Sequence, residues 1–143
     1  MNHPELNIYL AGEVHTDWRD QITEGVLAHD LPVTLTSANT DHPSSDACGA
    51  CILGAEDQSF WHDHKGAKLN AIRTRTLISR ADIVVARFGP KYRQWNSAFD
   101  AGLAVAQGAS LITLHAEDLD HALKEVDSAA LAVARTPQQV VSI

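Results

Sequence analysis

Short runs of aliphatic and β-branched residues alternate along the chain with longer stretches whose apolar residues recur every three to four positions. The first pattern is typical of strands buried on both faces of a sheet, and the second is typical of helices with one apolar face. Strands are predicted by the short runs at residues 6–12, 32–36, 83–86, 111–114 and 131–134. Helices are predicted at about residues 17–29, 67–80, 96–107 and 119–126, and from residue 137 onward.

Strands that alternate with helices form a parallel sheet covered by helices on both faces, with right-handed crossovers. The predicted fold class is therefore α/β, a flavodoxin-like (Rossmann-like) three-layer sandwich with a five-stranded parallel sheet in the order 2-1-3-4-5. A chain of 143 residues predicts a single domain, residues 1–143. In this strand order the loops after Gly12 and after Phe88 flank one crevice at the carboxyl edge of the sheet.

Residues 37–66 interrupt the alternation, because they are polar, rich in Ser, Asp, His and Gly, and carry little periodic pattern. Such long stretches are uncommon inside a compact domain, where they form binding lids or disordered segments. Phe60 and Trp61 favour a packed lid, since disordered segments are poor in aromatic residues. We therefore predict a long lid-like loop over this part of the chain.

The net charge is −7, and the acidic residues are scattered rather than clustered. Proteins that bind the phosphate backbone of nucleic acids present a clustered basic face, so no nucleic-acid partner is expected. No apolar run approaches the roughly 20 residues of a membrane span, and the N-terminus lacks the basic and apolar regions of a signal peptide. We expect a cytoplasmic protein that binds a small molecule and has no membrane partner.

The loops beside the predicted crevice hold most of the side chains capable of chemistry. Asp100 is the candidate nucleophile or base, because it lies one helical turn past the crevice loop in an apolar stretch; the alternative is a solvated surface carboxylate. Asn96 is either a helix N-cap or a ligand contact, and Trp95 either stacks on a base or covers the sheet edge. The strand order brings three further residues close to this group: Tyr9, Glu13 and His15.

Arg73 and Arg75 lie two residues apart in the helix that precedes the third strand. At this spacing they point to different sides of the helix, so at most one reaches the crevice. The alternative is two solvated surface charges. A guanidinium at the crevice would favour a 5′-phosphorylated ligand, because it matches phosphate through two parallel hydrogen bonds.

The segment Cys48-Gly49-Ala50-Cys51, followed by His62 and His64, contains the atom types of a tetrahedral zinc site. The two histidines are closer in sequence than in zinc fingers, and redox CxxC motifs normally follow the first strand and begin a helix. We therefore expect two reduced cysteines, no metal and no cofactor, with a zinc- or redox-dependent protein as the alternative. The sequence also lacks a Walker loop, a GxGxxG after the first strand and a GxSxG elbow.

Two segments carry a family resemblance: IYLAGE at Ile8–Glu13 and ADIVVARFGPKYRQWNSAFDAGLAVAQGASLI at Ala81–Ile112. In these segments the chain resembles the nucleoside 2-deoxyribosyltransferase superfamily. It is most similar to the YtoQ-type branch, whose members share YLAGE followed by H-x-x-WR, an N-x-x-R-T segment and an F-G-x-K-Y-x-Q-W-N-x-A-x-D-A block. Here these motifs stand at Tyr9–Arg19, Asn70–Thr74 and Phe88–Ala101.

The resemblance implies a flavodoxin-like homo-oligomer that cleaves or exchanges the N-glycosidic bond of a nucleoside or nucleoside 5′-monophosphate. It implies a carboxylate nucleophile that forms a covalent deoxyribosyl-enzyme, which a second base or water then attacks. The nucleophile position falls at Asp100, and the tyrosine that orients it falls at Tyr9. Gln94 and Thr74 stand where the transferases use Asp to hold sugar and base. Since neither residue ionises, the proton for the leaving base must come from another group.

Three side chains are candidates for that proton donor: Glu13, His15 and Asp63. The residues expected to bind the ligand are Gly12, Glu13, His15, Trp18, Arg73, Phe88, Gln94, Trp95 and Asn96. Within this set the Asn96 amide and the Arg73 guanidinium are assigned to sugar or phosphate, and an indole, of Trp18 or Trp95, to the base. The alternative function is a non-catalytic nucleotide-binding module or sensor with the same crevice.

Overall fold

The computed structural model describes residues 5–143 and contains a five-stranded parallel sheet. The strands are β1 (Leu6–Gly12), β2 (Val33–Ser37), β3 (Ile83–Arg87), β4 (Ser110–Leu114) and β5 (Ala132–Ala134). They pair in the order β2-β1-β3-β4-β5, so the predicted fold class and strand order are confirmed. Residues 1–4, on which the expected absence of a signal peptide partly rests, lie outside the described residues.

Helices cover both faces of this sheet: α1 (Trp18–Ala28), α2 (His42–Leu53), α3 (Ser59–Arg80), α4 (Trp95–Ala106), α5 (Lys124–Ala129) and α6 (Pro137–Ser142). The helix predicted near residues 119–126 is instead a 3₁₀ turn at Glu117–Leu119 followed by α5. As predicted, α6 begins at a proline, and the Thr136 side chain caps it by accepting a hydrogen bond from the backbone N–H of Gln139. No helix in residues 5–143 is both long and apolar enough to cross a membrane.

Successive residues of the central strands enter different cores, because side chains along a strand alternate between the two faces of the sheet. Tyr9, Val84 and Ala86 belong to the core beneath α3, α4 and α5. Leu10 and Val85 belong to the opposite core, beneath α1 and α6. The central strands are packed on both faces by these two cores. The polar groups at the carboxyl ends of β1 and β3 are therefore held on a rigid base.

The prediction of a lid-like loop over residues 37–66 is wrong, because α2 occupies most of the first half of this stretch and α3 begins at Ser59. The two helices meet backbone to backbone at glycines, and the α2 side chains partly buried beside this contact are all small. A Cβ on Gly49 would lie 2.6 Å from the backbone nitrogen of Gly66, so the two backbones are in direct contact there. A helix that packs through glycine carries no apolar periodicity, which is why the hydrophobic pattern did not indicate it.

Candidate functional site

A cavity of about 580 Å³ opens at the carboxyl edge of the sheet, where the strand order predicts a crevice. It is lined by the loop after β1, by the start of α2 with the residue Asn39 before it, and by the segment from Tyr92 to Ser97. Six of the residues expected to bind the ligand line this cavity: Gly12, Glu13, His15, Gln94, Trp95 and Asn96.

Gly12 allows β1 to end in close contact with β3. Its φ of +137° is a conformation that residues with a side chain rarely adopt. A Cβ at this position would lie 2.4 Å from the carbonyl oxygen of Arg87. Gly89, in the loop after β3, has a comparable role, since a Cβ there would lie 2.7 Å from Cγ of Glu13. The two crevice loops therefore meet through glycines.

Glu13 is a buried carboxylate that folds the loop after β1. It accepts hydrogen bonds from the backbone N–H groups of His15 at 2.7 Å and Thr16 at 3.1 Å, and from the Thr16 hydroxyl. Burial opposes its ionisation, but these hydrogen bonds and Arg87, whose Nε lies 3.8 Å away, outweigh burial and lower the pKa of Glu13 below its ordinary value. Glu13 is thus ionised at neutral pH and is not a proton donor.

Trp18 and Arg19 hold the backbone of the same loop. The Trp18 indole N–H donates to the carbonyl of Glu13 at 2.9 Å. The Arg19 guanidinium lies over the Trp18 ring and donates to the carbonyls of Glu13, Leu10 and Gly12. Trp18 is 2% exposed and packs in the core under α1. Contrary to the expectation from the sequence, its side chain therefore does not face a ligand in the cavity.

Phe88 is also a core residue rather than a ligand contact, since it is 4% exposed and packs with the residues beneath α3 and α4. Its ring meets that of His115 edge to face, with 6.5 Å between the ring centroids. Its backbone N–H donates to the carbonyl of Leu114. Phe88 therefore packs the end of β3 into the core. After it, the residues that line the cavity start at Tyr92.

The segment before α4 brings an amide and an aromatic ring to the cavity. α4 begins at Trp95 with Gln94 at the N-cap position, so Asn96 is not the helix cap and its side chain is exposed beside the cavity. Trp95 is 72% exposed. Gln94 folds the loop, since its Oε1 accepts from the backbone N–H of Gly89 at 3.1 Å. Trp95 and Asn96 are therefore free to meet a ligand, as is the exposed Arg93 just before them.

Asp100 is half-buried on α4, one turn beyond Asn96, and burial raises its pKa to about 6. Tyr9 lies beneath it on β1. Burial, followed by the negative charge of Asp100, raises the pKa of the Tyr9 hydroxyl above its ordinary value, while Arg19 and Arg73 act in the opposite direction. The Tyr9 hydroxyl is fully buried and has no hydrogen-bond partner within residues 5–143. The charge of Asp100 therefore acts on the Tyr9 hydroxyl through space, without a hydrogen bond between the two groups.

Asp100, Tyr9 and Arg73 do not themselves line the 580 Å³ cavity. Asn96 and Ser97, one turn before Asp100 on α4, form part of its wall. The guanidinium that the cavity does present is that of Arg93.

The wall formed by α2 and the residues before it was not predicted from the sequence. Asn39, His42, Ser45 and Asp46 line the cavity on this side. Nδ1 of His42 lies 2.8 Å from the Asp46 carboxylate, and the His42 ring faces that of His15 at 6.4 Å between centroids. The signal that could have revealed α2 is Asp41 at the N-cap position with a proline in the first turn.

The proposed zinc ligands are not assembled as one set. The two cysteines lie on α2 and the two histidines on α3: Cys48, Cys51, His62 and His64. Within residues 5–143, only one group brings three metal-ligating side chains together, formed by His115, Asp120 and Asp127. The zinc alternative therefore gains no support from the positions of the cysteines.

His115, Asp120 and Asp127 already satisfy one another and their neighbours. The buried His115 ring places Nε2 at 2.8 Å from the Asp127 carboxylate and Nδ1 at 2.8 Å from the carbonyl of Ala116. Asp127 also accepts from the Thr113 hydroxyl, and Asp120 pairs with an arginine of the β5–α6 turn. This network ties α5 and the chain after β4 to the sheet, behind Phe88.

Comparison with known proteins identifies the family of this chain. The family described as Nucleoside 2-deoxyribosyltransferase YtoQ matches residues 9–143. YtoQ of Bacillus subtilis (strain 168), an uncharacterised protein, is 39% identical over 137 residues, which cover 96% of this chain and 93% of YtoQ.

Two solved structures share the fold. The 2-deoxyribosyltransferase from Bacillus psychrosaccharolyticus has a TM-score of 0.58 and 17% identity, covering 96% of this chain and 91% of its own. A conserved protein from Enterococcus faecalis V583 has a TM-score of 0.63 and 16% identity, covering 97% and 96%. At these identities the likeness concerns the fold alone. The family match and the identity to YtoQ go further: this chain belongs to the nucleoside 2-deoxyribosyltransferase YtoQ family.

Proposed function

We propose that this protein cleaves or exchanges the N-glycosidic bond of a nucleoside or nucleoside 5′-monophosphate, with Asp100 as the nucleophile. One observation carries the proposal. A half-buried carboxylate, with its pKa raised to about 6, lies near a fully buried tyrosine hydroxyl that has no partner in residues 5–143, and it stands one helical turn from residues that line the cavity. Membership of the family described as Nucleoside 2-deoxyribosyltransferase YtoQ supports the reaction class.

In the proposed reaction an Asp100 oxygen bonds to the anomeric carbon while the bond from that carbon to the base nitrogen breaks. The electron pair goes to the base, which takes up a proton as it leaves. Water or a second base then attacks the anomeric carbon and releases the carboxylate. The Tyr9 hydroxyl is close enough to Asp100 for the carboxylate charge to raise its pKa. In the proposed reaction this hydroxyl would donate a hydrogen bond that orients the carboxylate.

The proton for the leaving base is assigned to His15. Glu13 is held ionised by its own hydrogen bonds, and Asp63 lies exposed on α3, away from the cavity lining. His15 lines the cavity, and its ring lies 5.0 Å from that of Tyr92. The ring N–H of a histidine can pass its proton to a departing base, as histidine does in general acid catalysis.

The cavity fits a nucleoside or nucleotide in size and in lining. Its volume of about 580 Å³ lies within the range of ordinary small-molecule sites. The exposed Trp95 ring would stack on the base, and the Asn96 amide would bind the sugar. Arg93 replaces Arg73 as the candidate phosphate-binding group, because it is the arginine that lines the cavity.

The proposal includes a cytoplasmic homo-oligomer. Large apolar side chains of α3 and α4 are exposed, among them Ile72 and Phe99, and both helices border the Asp100 region. A second copy covering this face would bury Asp100 further and exclude water from the covalent intermediate. Sedimentation analysis of the purified protein would measure the subunit number directly.

The test is incubation of the purified protein with deoxyribo- and ribonucleosides and their 5′-monophosphates, with and without a second free base. Released and exchanged bases are separated by chromatography. We expect base release by the wild type, loss of release in Asp100→Asn and Asp100→Ala, and retained release in Glu24→Gln, which removes an exposed carboxylate on α1. Intact-mass spectrometry should detect a sugar adduct on Asp100. Release that persists in Asp100→Asn would refute the role of this residue.

A second function, a non-catalytic nucleotide-binding module, is favoured by the separation of Asp100 from the cavity lining. Aspartate is also one methylene shorter than glutamate, and a displacement of about 1 Å costs roughly a hundredfold in rate. Thermal stabilisation by nucleotides without any base release would select this second function.

A further inference from the structure

The wall of the cavity that α2 forms is held to the rest of the fold with little buried apolar side-chain area. α2 packs against α3, and Gly49 is its one buried residue. It nevertheless supplies His42, Ser45 and Asp46 to the cavity. A helix with so little buried side-chain area has little hydrophobic stabilisation of its own. Its position over the cavity must therefore come from specific contacts with α3.

Asn70 of α3 makes the most specific of these contacts. Its Nδ2 donates to the backbone carbonyl of Ser45 at 3.0 Å and to the Ser45 hydroxyl oxygen at 3.0 Å. The thiol of Cys48 lies 3.3 Å from the same carbonyl and 3.9 Å from Oδ1 of Asn70. Asn70 itself does not line the cavity, whereas Ser45 does. Any effect of Asn70 on a ligand must therefore pass through Ser45.

The double hydrogen bond also sets the direction in which Ser45 can act. A serine hydroxyl has one proton to donate and two lone pairs that accept. Since the Ser45 oxygen accepts from Asn70, its own proton is free to point into the cavity. Asn70 thus fixes both the place of the α2 wall and the donor that the wall presents.

The glycine contact beside Asn70 fixes the distance between the helices. A Cβ on Gly49 would lie 2.6 Å from the backbone nitrogen of Gly66, and a Cβ on Gly66 would lie 3.0 Å from the carbonyl oxygen of Asp46. The helices already touch through their backbones, so α2 moves away from α3 if either glycine gains a side chain. Such a movement would also lengthen the hydrogen bonds of Asn70.

We infer that Asn70 is a positioning residue, which holds Ser45 and the α2 wall of the cavity in the place where they contact the ligand. The inference rests on the proposed function for the identity of that ligand. We call the pair of hydrogen bonds from Asn70 to Ser45, together with the adjoining glycine contact, the clamp. Within residues 5–143 no side-chain hydrogen bond joins Asp100 of α4 or Tyr9 of β1 to Asn70 or Ser45. Loss of Asn70 therefore raises KM and the dissociation constant and leaves kcat nearly unchanged.

The experiment compares Asn70→Ala and Asn70→Asp with Lys68→Ala, a change at an exposed residue of the same helix. Asn70→Asp keeps the shape of the side chain but removes both N–H donors. Amide hydrogen exchange of residues 42–53 is measured without ligand. Binding is measured by calorimetry with 2′-deoxyadenosine and its 5′-monophosphate. We expect exchange in α2 about tenfold faster and binding about tenfold weaker in both Asn70 variants, with Lys68→Ala unchanged.

Gly49→Ala tests the clamp by a second route, with Gly102→Ala as its matched control, since a Cβ at Gly102 meets nothing within 4 Å. Faster exchange in α2 is expected for Gly49→Ala alone. Unchanged exchange of α2 in both Asn70→Ala and Gly49→Ala overturns the inference. A fall in kcat with KM unchanged overturns it as well. If the wild type binds neither probe and releases no base, the proposed function fails, and the exchange data decide whether Asn70 holds α2.

Discussion

Asp100 should reduce the stability of the folded protein at neutral pH, and replacing it with asparagine should restore that stability. The carboxyl group is half-buried on α4, and burial raises its pKa from an ordinary 3.8 to about 6. Well below pH 3.8 the group is protonated in both the folded and the unfolded chain and has no effect. As the pH rises, it ionises first in the unfolded chain, so the free energy of unfolding falls until the folded group has also ionised.

The magnitude follows from the difference between the two pKa values. A shift of about two pH units corresponds to about 3 kcal/mol, at roughly 1.4 kcal/mol per unit. Because the carboxylate is only partly buried, solvent screens part of this energy, and we expect about 1–2 kcal/mol. The amide that Asp100→Asn introduces has no charge to desolvate, so this variant should gain that amount over the wild type at pH 7 and above.

The assay is urea unfolding of the wild type and of Asp100→Asn at a series of pH values from 3.5 to about 8. The difference in free energy of unfolding should be near zero at the lowest pH, should grow between about pH 4 and pH 6, and should then be constant. Glu24→Gln, the exposed control on α1, should show no such step. A difference that stays flat over the whole range, or that has the opposite sign, would refute the assigned burial of Asp100.

Asp127→Ala should destabilise the protein by about 3 kcal/mol in urea unfolding, because it leaves the buried His115 ring without its carboxylate partner; an effect below about 1 kcal/mol would show that the pair contributes little. Gly12→Ala should lower the free energy of unfolding by about 2 kcal/mol or more, because the added Cβ would overlap the Arg87 carbonyl at a position with positive φ. Gly102→Ala, where the added Cβ meets open space, should leave the free energy of unfolding unchanged or raise it. Elemental analysis should find no stoichiometric zinc in protein purified without chelator, and chelator should leave the urea midpoint unchanged; one zinc per chain that disappears on Cys48→Ser would revive the metal hypothesis.

The sequence predicted the fold well where burial leaves a simple pattern. Ile83–Ala86 is buried on both faces of the sheet, and the structure places β3 there with one further residue. The alternation of strands with helices predicted a parallel sheet, and the strand order and the crevice followed from the flavodoxin-like fold class. The α2 helix was missed because its packing depends on two glycines that are 17 residues apart in the sequence, and no local pattern reports a backbone contact between them. Such contacts belong to the tertiary structure alone.

The candidate site could be predicted in part for a similar reason. Residues that directly follow β1 and β3 must lie at the carboxyl edge of the sheet, which correctly placed His15 and Asn96 at the cavity. Trp18, which belongs to the YtoQ-type motif that begins with YLAGE, was assigned to the base. Whether the first residue of a helix faces the sheet or the crevice depends on how that helix docks, and α1 turns Trp18 inward.

Arg19 donates to three carbonyl groups around the end of β1, and the Trp18 ring on which it lies donates to one of them. Under the proposed function, substituting either residue should lower base release as substituting Asp100 does, although neither lines the cavity. A mutational screen scored by activity alone would thus group all three as one catalytic set. Scoring the same variants for folding would separate them: Trp18 and Arg19 variants would unfold more easily, and Asp100→Asn would become more stable.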